Sequence, residues 1–193
     1  MHKYILSFIV LLLFSALSFA GNYNIDKAHS NIGFSVSHMV IADVEGEFTD
    51  YEVDLTFDQN NLSNFNVSTT IKIASVNTEN EKRDGHLRSP DFFDAANNPE
   101  MTFTSSKVEK TKDGYKAHGT LTMRGVSKEI ELPFKVKGPI KDNWGNTRIG
   151  VKASTVINRQ DYGVKWDKTL DTGGLIAGND VTILIDAEFI KAK

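Results

Sequence analysis

The sequence predicts an all-β fold, an antiparallel barrel or sandwich of about eight strands with one short helical segment across one end. Three observations carry this prediction. Apolar and polar residues alternate with a period of two along most of the chain. Clusters of Asn, Asp, Ser and Gly separate the alternating runs. One long stretch, from Glu81 to Asn98, lacks the alternation.

The runs follow one another without a linker. Ile32, Phe34, Val36, His38 and Val40 alternate with Asn31, Gly33, Ser35, Ser37 and Met39, so a strand is expected there with His38 on its apolar face. Tyr51, Val53, Leu55 and Phe57 form the next apolar face, and Phe65, Val67, Thr69, Ile71 and Ile73 the one after the Asn60-Asn61 and Ser63-Asn64 turn signals. A strand around Met101 to Val108 precedes Tyr115, Ala117, Gly119, Leu121 and Met123. Beyond Arg124-Gly125 come Ile130, Leu132, Phe134 and Val136, then Ile149 to Ile157 after Asp142-Asn143-Trp144-Gly145, and finally Val181 to Phe189. Between Glu81 and Asn98, Ser89 followed by Pro90 reads as a helix cap with proline at the first helical position. Phe92 and Phe93 are expected there as apolar plugs over the interior.

The second face of these strands is charged, with Glu52, Asp54, Lys72, Lys116, Glu129, Glu131, Lys135, Lys137, Asp186 and Glu188. Outer-membrane barrels turn their apolar face to lipid and add aromatic girdles at the strand ends, which this chain lacks. The pattern therefore favours a barrel that is apolar inside and charged outside. Gly119, Ala153 and Ala187, small residues on apolar faces, are expected to leave room for a lumen.

The first twenty residues form an export signal: Lys3, an apolar run from Ile5 to Leu17, and small residues at Ser18-Phe19-Ala20. Cleavage after Ala20 gives residues 1–20 as signal peptide and 21–193 as one domain, placed in a periplasm or secreted. Over the whole chain there are 22 basic and 25 acidic residues; without Lys3 the remainder carries 21 and 25, a net of −4. Such a balance offers no footprint for nucleic acid. With no cysteine anywhere, thiolate chemistry, disulfide staples and lipoprotein processing are excluded.

Catalytic and metal patterns are weak. His29, His38, His86 and His118 include no HxH or HExxH spacing, so no metal site is expected. No GxSxG elbow accompanies the serines, and Asp91 and Asp94 read as first-turn helix acids. Two polar clusters remain, Arg83-Asp84-x-His86 beside Phe92 and Phe93, and Arg159-x-Asp161 directly after a strand. Each is consistent with a local Arg–Asp pair, or with a grip on a polar head group at a pocket mouth.

Taken together these segments resemble the YceI-like family of exported polyisoprenoid-binding proteins with a lipocalin-like barrel. The resemblance rests on Ile25-Asp26-Lys27-Ala28-His29-Ser30, on Val44-x-Gly46-x-Phe48, and on Arg83-Asp84-x-His86-Leu87-x-Ser89-x-Asp91-Phe92-Phe93-Asp94. Leu121 to Lys128 and Asn158-Arg159-x-Asp161-Tyr162-Gly163 complete it. It implies a hydrophobic tunnel for an isoprenoid quinone, a polyprenyl lipid or a fatty-acid derivative, bound as ligand and with no other cofactor. The expected lining is Phe34, Val36, His38, Val53, Leu55, Phe57, Val67, Ile71, Phe92, Phe93, Leu121, Met123, Leu132 and Phe134. Arg83, Asp84, His86, Arg159 and Asp161 are the head-group candidates. The reading is therefore a lipid carrier or sequestering protein and not an enzyme, with transient membrane contact and a homodimer left open. Two alternatives stand beside it: an enzyme using His38 or His86 on such a lipid, and a stress-related exported protein without ligand.

Overall fold

The computed structural model describes residues 21–193 apart from Thr172, so the signal peptide expected over residues 1–20 lies outside the described residues. The strands are β1 (Gly21–Ile25), β2 (Asn31–His38), β3 (Ala42–Phe48), β4 (Tyr51–Phe57), β5 (Asn66–Lys72), β6 (Val76–Asn77), β7 (Glu100–Thr111), β8 (Gly114–Met123), β9 (Val126–Lys141), β10 (Thr147–Asn158) and β11 (Ala177–Lys191). One helix, α1 (Glu81–Arg88), lies between β6 and β7.

Every pairing in the sheet is antiparallel, and β1 pairs with β11 to close the ring. The result is an eight-stranded barrel. Three of its long strands are bent into two labelled pieces. β1 and β2 share β11 as partner, with Ile25 opposite Phe189 and Ile32 opposite Ile185. Between them Asp26 caps a tight 3₁₀ turn by accepting from the Ala28 N–H. β3 and β4 lie against that bent strand in turn, and β5 and β6 against β4 and β3. From β7 onward each strand pairs with its sequence neighbour. Closure removes the free edges that an open sheet of this size would carry.

Alternation sets the faces as expected, but two boundaries differ. The first strand stops at His38 rather than Val40. Met39 and Val40 take left-handed φ values of 52° and 65° to turn the chain into β3, which leaves Val40 and Ile41 exposed at the hairpin tip. The apolar run had read as a strand because a turn made of apolar residues carries no compositional signal. The helix is also shifted. It begins at Glu81, where the Asn80 side chain accepts from the Arg83 N–H at 3.0 Å, and ends at Ser89. Ser89-Pro90 therefore stops the helix instead of starting one, since a residue preceding proline is driven out of the helical region. β1 and most of β3 had carried no recognisable alternating run of their own.

At the end of the barrel that carries Gly21 and Lys191, Phe57, Phe65, Tyr115 and Phe134 pack into one aromatic cluster. Tyr115 stacks on Phe134 at 5.3 Å and meets Phe57 edge-on at 5.4 Å. The opposite end holds the β2–β3 hairpin tip, α1, the Arg124-Gly125 turn and the segment from Arg159 to Ile176.

Candidate functional site

The barrel interior holds an apolar cavity of about 210 Å³. Val181, Ile183, Ile185, Ala187 and Phe189 of β11 line it in alternate register, a run of roughly 26 Å of strand at about 3.3 Å per residue. Of the expected lining residues, Phe34, Val36, Val53, Leu55, Phe57, Val67, Ile71, Phe92, Phe93, Leu121, Met123, Leu132 and Phe134 all stand on its wall. Their outward neighbours Glu52, Asp54, Thr122 and Glu131 face away, so the period-two pattern positions the wall directly. Thr69 is its one hydroxyl side chain and Arg159 its one charged side chain.

His38 is a correction. It continues the phase of Ile32, Phe34 and Val36 but is absent from the cavity wall, which Ala177 and Arg159 complete at this end. His38 ends β2 opposite Ala177, just where β11 bulges between Ala177 and Val181 and shifts the register. Gly119 is a second correction. It points inward between Ala117 and Leu121, yet a Cβ there would stand 2.6 Å from the Phe103 ring and 2.5 Å from the Thr104 carbonyl oxygen. Its missing side chain makes room for Phe103, not for the lumen. Gly46 serves Phe34 in the same way, since a Cβ there would stand 2.5 Å from its ring. Ala153 and Ala187 do line the cavity, together with Ala117 and Ala177.

The polar candidates separate into different roles. Asp84 is buried and accepts from the Thr78 N–H at 2.9 Å and from the Thr78 hydroxyl. Arg83 donates to the Thr78 hydroxyl and carbonyl oxygens, both at 2.7 Å. Instead of pairing with each other, both side chains tie α1 to the residue that follows β6. His86 faces outward from the cavity, 2.9 Å from Asp91 Oδ2, with its ring edge-on to Phe92 at 4.9 Å and to Trp166 at 5.7 Å. Asp161 is exposed and lies 3.9 Å from Lys128 rather than against Arg159.

Arg159 is different. Its residue exposure is only 5% and it stands on the cavity wall. Nε donates to the Gly178 carbonyl at 2.8 Å, Nη1 to that of Val164 at 2.9 Å, and Nη2 to the Ala177 carbonyl at 3.2 Å and Asn179 Oδ1 at 3.0 Å. Burial pushes its pKa below the ordinary arginine value, with Asp167 acting in the opposite sense through space. Guanidinium remains charged under these conditions.

Over this end of the cavity the segment after α1 is pinned from below. Arg124 Nη1 donates to the Pro90 carbonyl at 2.8 Å and to that of Phe92. Phe93 meets Phe48 edge-on at 6.0 Å and Phe92 packs on Trp166 at 5.3 Å. Trp166 and Val164 were missed at the sequence level because they lie in an irregular stretch where no periodicity assigns a face.

A closed barrel with an enclosed, apolar interior belongs to the lipocalin-like class of architectures. Residues 23–189 match the model of the YceI-like domain, and the chain belongs to that family. A UPF0312 protein of Photorhabdus laumondii is 40% identical over 159 residues, covering 81% of this chain and 83% of its own. The YCEI protein of Campylobacter jejuni superposes with a TM-score of 0.69 at 39% identity, over 89% of this chain and 98% of that one. The fold is shared further with a polyisoprenoid binding domain from Saccharophagus degradans, implicated in plant cell wall breakdown, at a TM-score of 0.64, 17% identity and coverage of 88% and 98%.

Proposed function

We propose that this protein binds a lipid with a long apolar tail, of isoprenoid quinone, polyprenyl or fatty-acid type, inside the barrel and carries or sequesters it outside the cytoplasm. The single observation behind this reading is the cavity wall, which is apolar from the Phe57–Phe134 cluster at one end to Phe92 and Phe93 at the other, broken only by Thr69 and Arg159. A water-filled lumen needs polar groups along its length to hold its waters, and this one has only those two side chains. An apolar tail has no hydrogen bonds to lose on entry. It gains about 25 cal/mol for each Å² removed from water, before the cost of association. Family membership and the polyisoprenoid-binding neighbour support the same ligand class. The export signal supports a periplasmic or secreted location.

Neither histidine of the enzyme alternative stands on the cavity wall, so the binding reading is preferred. Its test is denaturing extraction of the protein purified from its native compartment, followed by mass spectrometry. One lipid per barrel is the expected result. Barrels that are empty in every preparation, and that also reject apolar probes, would overturn it.

A further inference from the structure

Arg159 has a property that the rest of the wall does not share. It is a cation buried to 5% exposure, and no carboxylate oxygen lies within ion-pair distance of it among the described residues. Its four hydrogen bonds go to three backbone carbonyls and one side-chain amide, all neutral dipoles. They occupy four of the five N–H hydrogens of a guanidinium and leave one on Nη1. Asp167 acts on it only through space, and a buried charge without a counter-charge in contact is costly to keep, so proteins ordinarily pair it. The rest of the cavity wall carries no charged side chain.

The cavity is also polar at one end only. Away from Arg159 it runs into Phe57, Phe65 and Phe134 with no polar side chain but Thr69 on the way. An amphiphile entering this space is therefore sorted by polarity along the barrel axis.

We propose, building on the lipid-binding reading, that the cavity selects lipids with an acidic head, seating a carboxylate or phosphate oxygen against the Arg159 guanidinium and the tail toward the Phe57–Phe134 cluster. The head supplies a negative charge in direct contact and an acceptor for the remaining Nη1 hydrogen. A neutral head of equal size supplies at most the acceptor. Hydrogen bonds between charged partners are worth about twice those between neutral ones, and the difference sets the selectivity.

The experiment compares palmitate with hexadecan-1-ol, which share a tail and differ at the head, by displacement of the neutral fluorophore N-phenyl-1-naphthylamine from the full mature protein. Palmitate is expected to bind about tenfold to a hundredfold more tightly. In Asn179→Asp a carboxylate replaces the amide that already accepts from Nη2, neutralising Arg159 in place without emptying its pocket. This variant should bind both probes alike, at the affinity of the alcohol. Arg159→Gln, if it folds, should behave the same way.

Equal affinity of acid and alcohol in the natural protein overturns the inference while leaving the lipid-binding reading intact. So does an acid preference that survives Asn179→Asp. Failure of the fluorophore and both probes to bind overturns that reading and this inference together. Inorganic phosphate that displaces palmitate by itself identifies a free-anion site, and also overturns the selection of a lipid head.

Discussion

Asp142 Oδ2 accepts a 2.8 Å hydrogen bond from Arg148 Nε across the turn that joins β9 to β10. The same guanidinium reaches back with Nη1 to Asp26 Oδ2 at 2.7 Å and Glu188 Oε1 at 2.6 Å. One side chain thus joins β10, β11 and the break between β1 and β2, where the barrel closes. The bond from Arg148 holds the Asp142 carboxyl well below the usual carboxylate range, aided by N–H groups of Asn146 and Trp144. It lowers Asp26 as well, with His29 adding a second bond.

A pH dependence follows from these shifts. A carboxylate whose folded pKa is depressed stabilises the fold at pH values above its unfolded pKa, about 3.9 for Asp, and that stability is lost as pH falls through the folded value. The natural protein should therefore lose stability as acid is added below about pH 4. Arg148→Met should lower the urea midpoint near neutral pH and flatten this acid loss, because both carboxyls return toward ordinary values. Equilibrium urea unfolding near neutrality and near pH 3 measures both effects, and an unchanged acid slope in the variant would count against the assignment.

Gly119→Ala should destabilise the protein by about 1–3 kcal/mol, the range for overpacking a filled interior. The new methyl meets the Phe103 ring and the Thr104 carbonyl oxygen at distances real Cβ atoms do not adopt. Phe103→Leu in the same chain should recover only the part due to the ring, since the carbonyl stays. Thermal or urea unfolding of Gly119→Ala, Phe103→Leu and the double variant resolves the two contributions, and a neutral Gly119→Ala would show that β7 and β8 separate easily here.

Ala187→Leu tests the lumen directly. Ala187 is buried at 3% exposure, pairs with Val151 across the β10–β11 ladder and lines the cavity. Extra carbons there enter open space rather than packed neighbours, so stability should hold within about 1 kcal/mol. Affinity for N-phenyl-1-naphthylamine should fall by about tenfold or more as the ligand loses that volume. Fluorescence titration alongside thermal unfolding checks both. A variant that unfolds as readily as Gly119→Ala would mean the cavity is closed at Ala187.

The contrast between Gly119 and Ala187 marks how far the sequence can be read. Both are small residues on apolar faces of regular strands, and periodicity treats them alike. Only the positions of the Phe103 ring and the Thr104 carbonyl make one a packing relief and leave the other facing the lumen. His38 follows the same logic, since its phase along β2 is as the alternation predicts but the bulge in β11 decides where the wall ends.

Sequence alone determined the all-β class, the antiparallel character of the sheet and much of the apolar wall. It could do so because the pleat of a strand assigns faces residue by residue, without reference to any distant part of the chain. Tertiary structure decided what periodicity has no means to express: that β1 closes on β11, that Arg83 and Asp84 both serve Thr78, and that Arg159 is buried among carbonyls without a carboxylate. Those outcomes depend on which residues, far apart in the chain, share a few ångströms of space. A local pattern specifies the direction of a side chain but not the charge or ring that meets it.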